Sequence, residues 1–244
     1  MTQTTVRPHR VLRTVLVVLL VATAGAVAVG AIAWCSVFGC TLFSEDFEPQ
    51  GEEATRARAA AVSRVADLAD RASADGRVIA RATRDGCRTG QNDWKRKDTY
   101  SHECEVDASR LVVVATERSA VADGLTAVDI RLRGLGCEPR PRGGLDRVRD
   151  EYWDEGNPNV AREGAAGLPS ATYACGEDRS VEVEPLSARG STSSLRSLTN
   201  GTLWLDDALA VDWYDVDDVR ALRESDAELA LVVTVGEGYY RTRF

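Results

Sequence analysis

The segments VIARATRDGC (Val78–Cys87), TYSHECEV (Thr99–Val106) and LVVVA (Leu111–Ala115) decide how this chain folds. The first two read as neighbouring strands joined by the polar loop Arg88–Asp98. Cys87 and Cys104 lie nearly symmetrically about that loop, so a hairpin sets them face to face and a Cys87–Cys104 disulfide is expected. Leu111-Val112-Val113-Val114-Ala115 is apolar on both faces and suits a central strand covered on each side. Three strands are therefore expected, at about Arg77–Cys87, Thr99–Val106 and Arg110–Thr116.

Helical periodicity flanks these strands. Ala61, Val65, Leu68, Ala69 and Ala72 recur at helical spacing, and Ala74-Asp75-Gly76 stops that helix. Phe47 to Thr55 reads as a linker ahead of it. A second helix is expected from about Arg118 to Arg133, with Val121, Leu125, Val128 and Leu132 inward and Gly134 and Gly136 ending it. Pro139 to Ser170 reads as a surface excursion with one short helix at Leu145–Asp154. Beyond it, Val181-Glu182-Val183-Glu184 alternates as a strand. Glu228–Val235 is a second two-faced apolar strand, and Gly236-Glu237-Gly238 reads as a hairpin into Tyr239–Phe244. Helices and strand runs in this order predict an α+β domain with an antiparallel sheet and two main helices. The pairing of Gly86-Cys87 with Thr99–Cys104, and of Gly136-Cys137 with Thr172–Cys175, hints at two related halves, about 56–136 and 137–244.

The segment before residue 45 sets the compartment. Arg7, Arg10 and Arg13 precede an uncharged run whose most hydrophobic part, Thr14 to Trp34, is long enough for a helix to cross a bilayer. Acidic residues follow from Glu45, and no positive charge returns until Arg56, so the N-terminus is expected in the cytoplasm and the remainder outside. This gives a tail at 1–13, a transmembrane helix at 14–34, a juxtamembrane linker at 35–55 and an extracytoplasmic domain at 56–244. A signal peptide cut after Ala31-Ile32-Ala33 and a lipoprotein lipidated at Cys40 are the rival readings, and both also export the domain. Ala22, Ala26 and Gly30 form a small-residue stripe on which a partner helix can pack.

Six cysteines are present, four of them in the exported part. With no C-x-x-C pair and only His102 to accompany them, zinc and thioredoxin-like chemistry lack support. An even count outside the membrane reads as disulfides, Cys87–Cys104 and then Cys137–Cys175. Cys35 and Cys40 are left open between pairing, cross-linking chains and staying reduced.

The chain carries 38 acidic against 30 basic residues, a net charge of −8. Every acid lies beyond Phe43, so the exported part is the more acidic, and no basic face is available for nucleic acid. No Walker loop, G-x-G-x-x-G, H-E-x-x-H or G-x-S-x-G is present, which argues against nucleotide, zinc-peptidase and serine-hydrolase chemistry. No cofactor and no metal are expected. His102, alternating with Cys104 and Tyr100, reads as a structural histidine beside a disulfide. The densest chemical cluster is Trp204, Asp206, Asp207, Asp212, Trp213 and Asp215, a candidate ligand or ion site. Its spacing does not match a calcium loop, and Asp215, Asp217 and Asp218 sit where a helix from Asp217 to Glu224 needs capping acids. Acids beside tryptophans also suit a sugar or peptide groove.

Gly86-Cys87-Arg88-Thr89-Gly90-Gln91-Asn92-Asp93-Trp94 followed by Tyr100-Ser101-His102-Glu103-Cys104 makes a C…GQ-x-x-W…Y-x-x-x-C pattern behind the anchor. It resembles exported single-pass proteins of high-GC Gram-positive (actinobacterial) type, which have no known activity. All but Lys95 and Lys97 of the basic side chains are Arg, in keeping with such a genome. The resemblance covers about a fifth of the exported part and implies no functional residue.

The expected function is a membrane-anchored binding or interaction module of the cell envelope. Its partners are the bilayer, through 14–34, and an envelope or membrane protein, with no nucleic acid and no nucleotide. Two alternatives stand beside it. A carboxylate-dependent envelope hydrolase needs two acids converging in a pocket with pKa values driven apart, the 139–170 segment serving as lid. A structural subunit of a membrane complex would use the anchor stripe.

Overall fold

In the computed structural model, residues 51–91, 95–141, 143–154, 156–190, 198–199 and 207–243 are described. Residues 14–34, expected to span a membrane, and Cys35, Cys40, Trp94, Trp204 and Asp206 lie outside them. Among the described residues no helix is long and apolar enough to cross a membrane. The described residues form two compact units, a small one of 90–91, 95–101 and 242–243 and a large one of 51–89 and 102–241.

The large unit is α+β. Its elements run α1 (Glu52–Ala72), β1 (Arg77–Thr89), β2 (His102–Ala115), α2 (Val121–Gly134), β3 (Glu138–Pro139), α3 (Leu145–Tyr152) and α4 (Pro158–Glu163). They continue with β4 (Ala171–Ala174), β5 (Arg179–Leu186), β6 (Asp207–Asp212), α5 (Val216–Glu224) and β7 (Leu229–Thr242). The seven strands make one sheet in the order β3-β4-β5-β7-β2-β1-β6. The β1–β2, β1–β6, β3–β4, β4–β5 and β5–β7 pairs are all antiparallel. For β2 and β7, Glu228 N–H donates to the Ala115 carbonyl and Ser109 Oγ lies 2.9 Å from Thr234 Oγ1, again an antiparallel match. Among the described residues there are five α-helices: the two main ones expected, the short ones expected near Leu145 and Asp217, and α4, which was not expected.

The β1–β2 hairpin has the expected register, with Cys87 opposite Cys104 and the disulfide closed between them. Cys137 and Cys175 form the second bridge, one position beyond the Glu138–Ala174 pair of β3 and β4. Each disulfide therefore clips two adjacent strands.

Four expectations are corrected. The strands expected at Thr99–Val106 and Arg110–Thr116 are one strand, β2. Asp107 and Ser109, which fall between the two expected strands, are the polar positions of a continuous alternation, and Ser109 is fully buried between Thr234 and Tyr214. Likewise, Gly236 and Gly238 do not turn the chain. They sit inside β7, neither with a positive φ. Further, 139–170 is no surface excursion. Leu145, Val148, Val160, Ala165 and Leu168 are buried in the main core, so the segment packs on the sheet as helices and is no lid. The first helix also reaches back to Glu52, where Glu52 and Glu53 complement the positive end of the helix dipole, so 52–55 are helix rather than linker.

The sheet has two faces, and the alternation of β7 shows them. Leu229, Leu231, Val233 and Val235 join a large core with α1, α2, α3 and α4, whereas Ala230 and Val232 join a smaller one with Leu111, Val113, Leu186, Tyr214 and Leu222 of α5. On the large-core side α1 presents small residues, Ala54, Ala61, Ala69 and Ala72, so its backbone approaches the sheet closely. Ion pairs tie it down: Arg58 to buried Asp85, Arg64 to Glu237, and Asp70 to Arg110 at 2.7 Å. Tyr239 also donates to Asp85, and burial with that bond pushes the phenol well above its ordinary pKa.

The small unit is held by its own hydrogen bonds. Gly90 N–H donates to the Ser101 carbonyl at 2.7 Å, Asp98 and Gln91 bond reciprocally, and Ser101 bonds the backbone and hydroxyl of Thr242. Gly90 is required there, since a Cβ would lie 1.9 Å from the Tyr100 carbonyl oxygen.

Candidate functional site

The face shared with α5 is only partly covered. Where β2, β7 and β5 continue past the small core, they floor an open groove of about 480 Å³. By alternation Glu103, Glu105 and Asp107 of β2 stand on this face, as do Gly236, Gly238 and Tyr240 of β7 and Ser180 of β5. The opposite wall is the β4–β5 turn, Glu177-Asp178-Arg179, together with Arg140.

Of the two glycines on this face, Gly238 opens the groove. A Cβ on Gly236 would lie 2.6 Å from Asp107 Oδ1, so the Asp107 carboxylate occupies the space a side chain would need. Gly238 is different: its hypothetical Cβ meets only Glu103 Oε1, at 4.0 Å, and otherwise faces open space.

The three acids of β2 are not equivalent. Glu103 is buried, and both its oxygens are engaged, Oε2 by Arg88 at 2.6 Å and Oε1 by Arg241. Burial works against its charge, but the hydrogen bonds from Arg88 and Arg241 outweigh burial and hold its pKa below the ordinary value. Among the described residues, the cation nearest Glu105 is Arg88, 3.9 Å away. Desolvation pushes its pKa up; Arg88 opposes this, while the charges of Asp107 and Glu103 add to it. Asp107 is raised as well, by desolvation that its partner Arg84 does not fully offset.

Of the residues singled out from sequence, the two disulfides are in place. Asp215 is the N-cap of α5: its side chain accepts from the Asp217 and Asp218 amides, and Asp218 reaches back to the Asp215 amide in a capping box. Asp212 is exposed at the end of edge strand β6, and Asp207 begins that strand. Trp213 lies under Arg84, whose guanidinium carbon is 4.7 Å from the ring centroid, and Arg84 also pairs with Asp107. Trp213 is thereby joined to the acid row of β2, away from the Asp215 cap. Among the described residues no group of three or more His, Cys, Asp or Glu side chains is arranged to hold a metal ion. Reading the sequence missed the groove. Its signal was the period-two run Glu103-x-Glu105-x-Asp107, interpreted only around His102 and Cys104, and the Gly236-x-Gly238 pair, taken for a turn.

Searches against protein-family models, curated proteins and solved structures return no match for this chain.

Proposed function

We propose that the chain is a membrane-anchored extracytoplasmic binding module of the bacterial cell envelope, and that the groove on the open sheet face is its ligand seat. The observation that carries the reading is the lining. Glu105 is held at 3.9 Å from its nearest cation, and among the described residues Arg140, Arg179, Glu177 and Asp178 form no ion pair. A concave site with unneutralised groups of both signs suits a polar ligand. The apolar run at 14–34, the arginines before it and the two strand-clipping disulfides support an exported, anchored domain.

One observation favours the hydrolase alternative: Glu103 and Glu105 are displaced in opposite directions, as an acid and its partner base would be. Against it, Glu103 has both oxygens committed to arginines, which leaves no lone pair well placed for attack or proton abstraction. Binding without catalysis is the better reading.

The test uses Gly238, where a large side chain fits the strand and fills the groove. Saturation-transfer NMR of the full-length chain in detergent, against a panel of defined peptides, amino sugars and amino acids, should find binders that Gly238→Trp loses. Binders unaffected by Gly238→Trp, or a panel with none, would overturn the proposal.

A further inference from the structure

We infer that the groove takes a zwitterion, a short peptide with free termini, its amine on Glu105 and its carboxylate on Arg140 and Arg179. The inference rests on the groove being a ligand site and names the ligand's chemistry. One wall of the groove presents the acid Glu105, and the other presents Arg140 and Arg179 beside Glu177 and Asp178, four groups that form no ion pair among the described residues. On the β2 wall, Arg88 makes its 2.6 Å contact with Glu103 and leaves Glu105 at 3.9 Å. On the other wall, Arg140 and Arg179 form no ion pair among the described residues. Between the walls lies Gly238, which extends no side chain to bridge them. A ligand with one charge satisfies one wall only, whereas a zwitterion satisfies both with charge-assisted hydrogen bonds. Glu177 and Asp178 beside Arg179 disfavour a purely anionic ligand such as phosphate. The volume of about 480 Å³ lies within the range of small-ligand sites.

The experiment is calorimetric titration of the full-length chain with tri-alanine in three forms: both termini free, N-acetylated, and C-amidated. Free tri-alanine should bind, and each block should weaken binding about tenfold, the loss of one charge-assisted contact. Glu105→Gln should erase the penalty of acetylation and keep that of amidation, and Arg179→Gln should do the reverse. Equal affinity for the three forms, no binding of tri-alanine, or an acetylation penalty that survives Glu105→Gln would overturn the inference. If some other panel ligand binds and is lost in Gly238→Trp, the zwitterion inference fails alone; if no ligand responds to Gly238→Trp, both readings fail.

Discussion

Gly236 and Gly238 lie two residues apart on one strand and one face, yet the structure assigns them opposite responses to the same added methyl group. At Gly236 the new Cβ would sit 2.6 Å from Asp107 Oδ1, so the carboxylate must move and its pairing with Arg84 must loosen. A hydrogen bond to a charged group contributes about 1.5–3 kcal/mol, and partial exposure of this pair places the loss at the low end. Replacing Gly by Ala returns about 0.4–1 kcal/mol through the unfolded chain. Gly236→Ala should therefore destabilise by roughly 1 kcal/mol, whereas Gly238→Ala, which meets nothing closer than 4.0 Å, should be neutral or stabilising by about 0.5 kcal/mol. The assay is urea unfolding of the full-length oxidised chain at pH 7, comparing midpoints at constant slope. A double-mutant cycle sharpens it: in an Asp107→Ala background the clash is gone, so Gly236→Ala should lose its cost. Equal effects at the two glycines, or an undiminished cost in the Asp107→Ala background, would refute the reasoning.

Other predictions follow from the same geometry. Replacing Cys137 and Cys175 by Ser opens a bridge of sequence separation 38 and should cost about 4 kcal/mol, against about 3 kcal/mol for Cys87 and Cys104 at separation 17, read from denaturant midpoints. Glu105→Gln should stabilise the chain at pH 7, because a carboxyl with a raised folded pKa contributes stability below its unfolded value that is lost as pH rises through the folded one. Measured as a midpoint against pH, that gain should shrink to nothing below the ordinary value of 4.5. Glu103→Gln should do the opposite at pH 7, destabilising by removing a carboxylate that two arginines hold ionised. Asp215→Ala should cost about 1 kcal/mol through loss of the α5 cap, with Asp215→Asn retaining most of it by thermal melting.

Much of the scaffold was legible because its signals are local. Cys87 and Cys104 fixed the β1–β2 register by symmetry about a polar loop, and the stripe Val121, Leu125, Val128 and Leu132 marked the buried side of α2. What escaped was set by distant partners. Ser109 falls between two expected strands, yet Thr234 and Tyr214, more than a hundred residues away, satisfy its hydroxyl inside a single one. Gly236 looks like a turn until Asp107, from another strand, fills the place of its side chain. The 139–170 segment has too few apolar residues to show a helical stripe, but the sheet buries Leu145, Val148, Val160 and Leu168 one at a time. The same limit hid the groove, since its two walls come from β2 and the β4–β5 turn and meet only in the folded sheet.

The most direct measurement is amide hydrogen exchange on the full-length oxidised chain, with and without the tightest polar ligand from the panel. Slowed exchange confined to 103–107, 177–180 and 236–241 is the predicted result. Protection instead around the exposed Ile130 of α2, or along edge strand β6 at Val211, would place binding elsewhere and contradict the account.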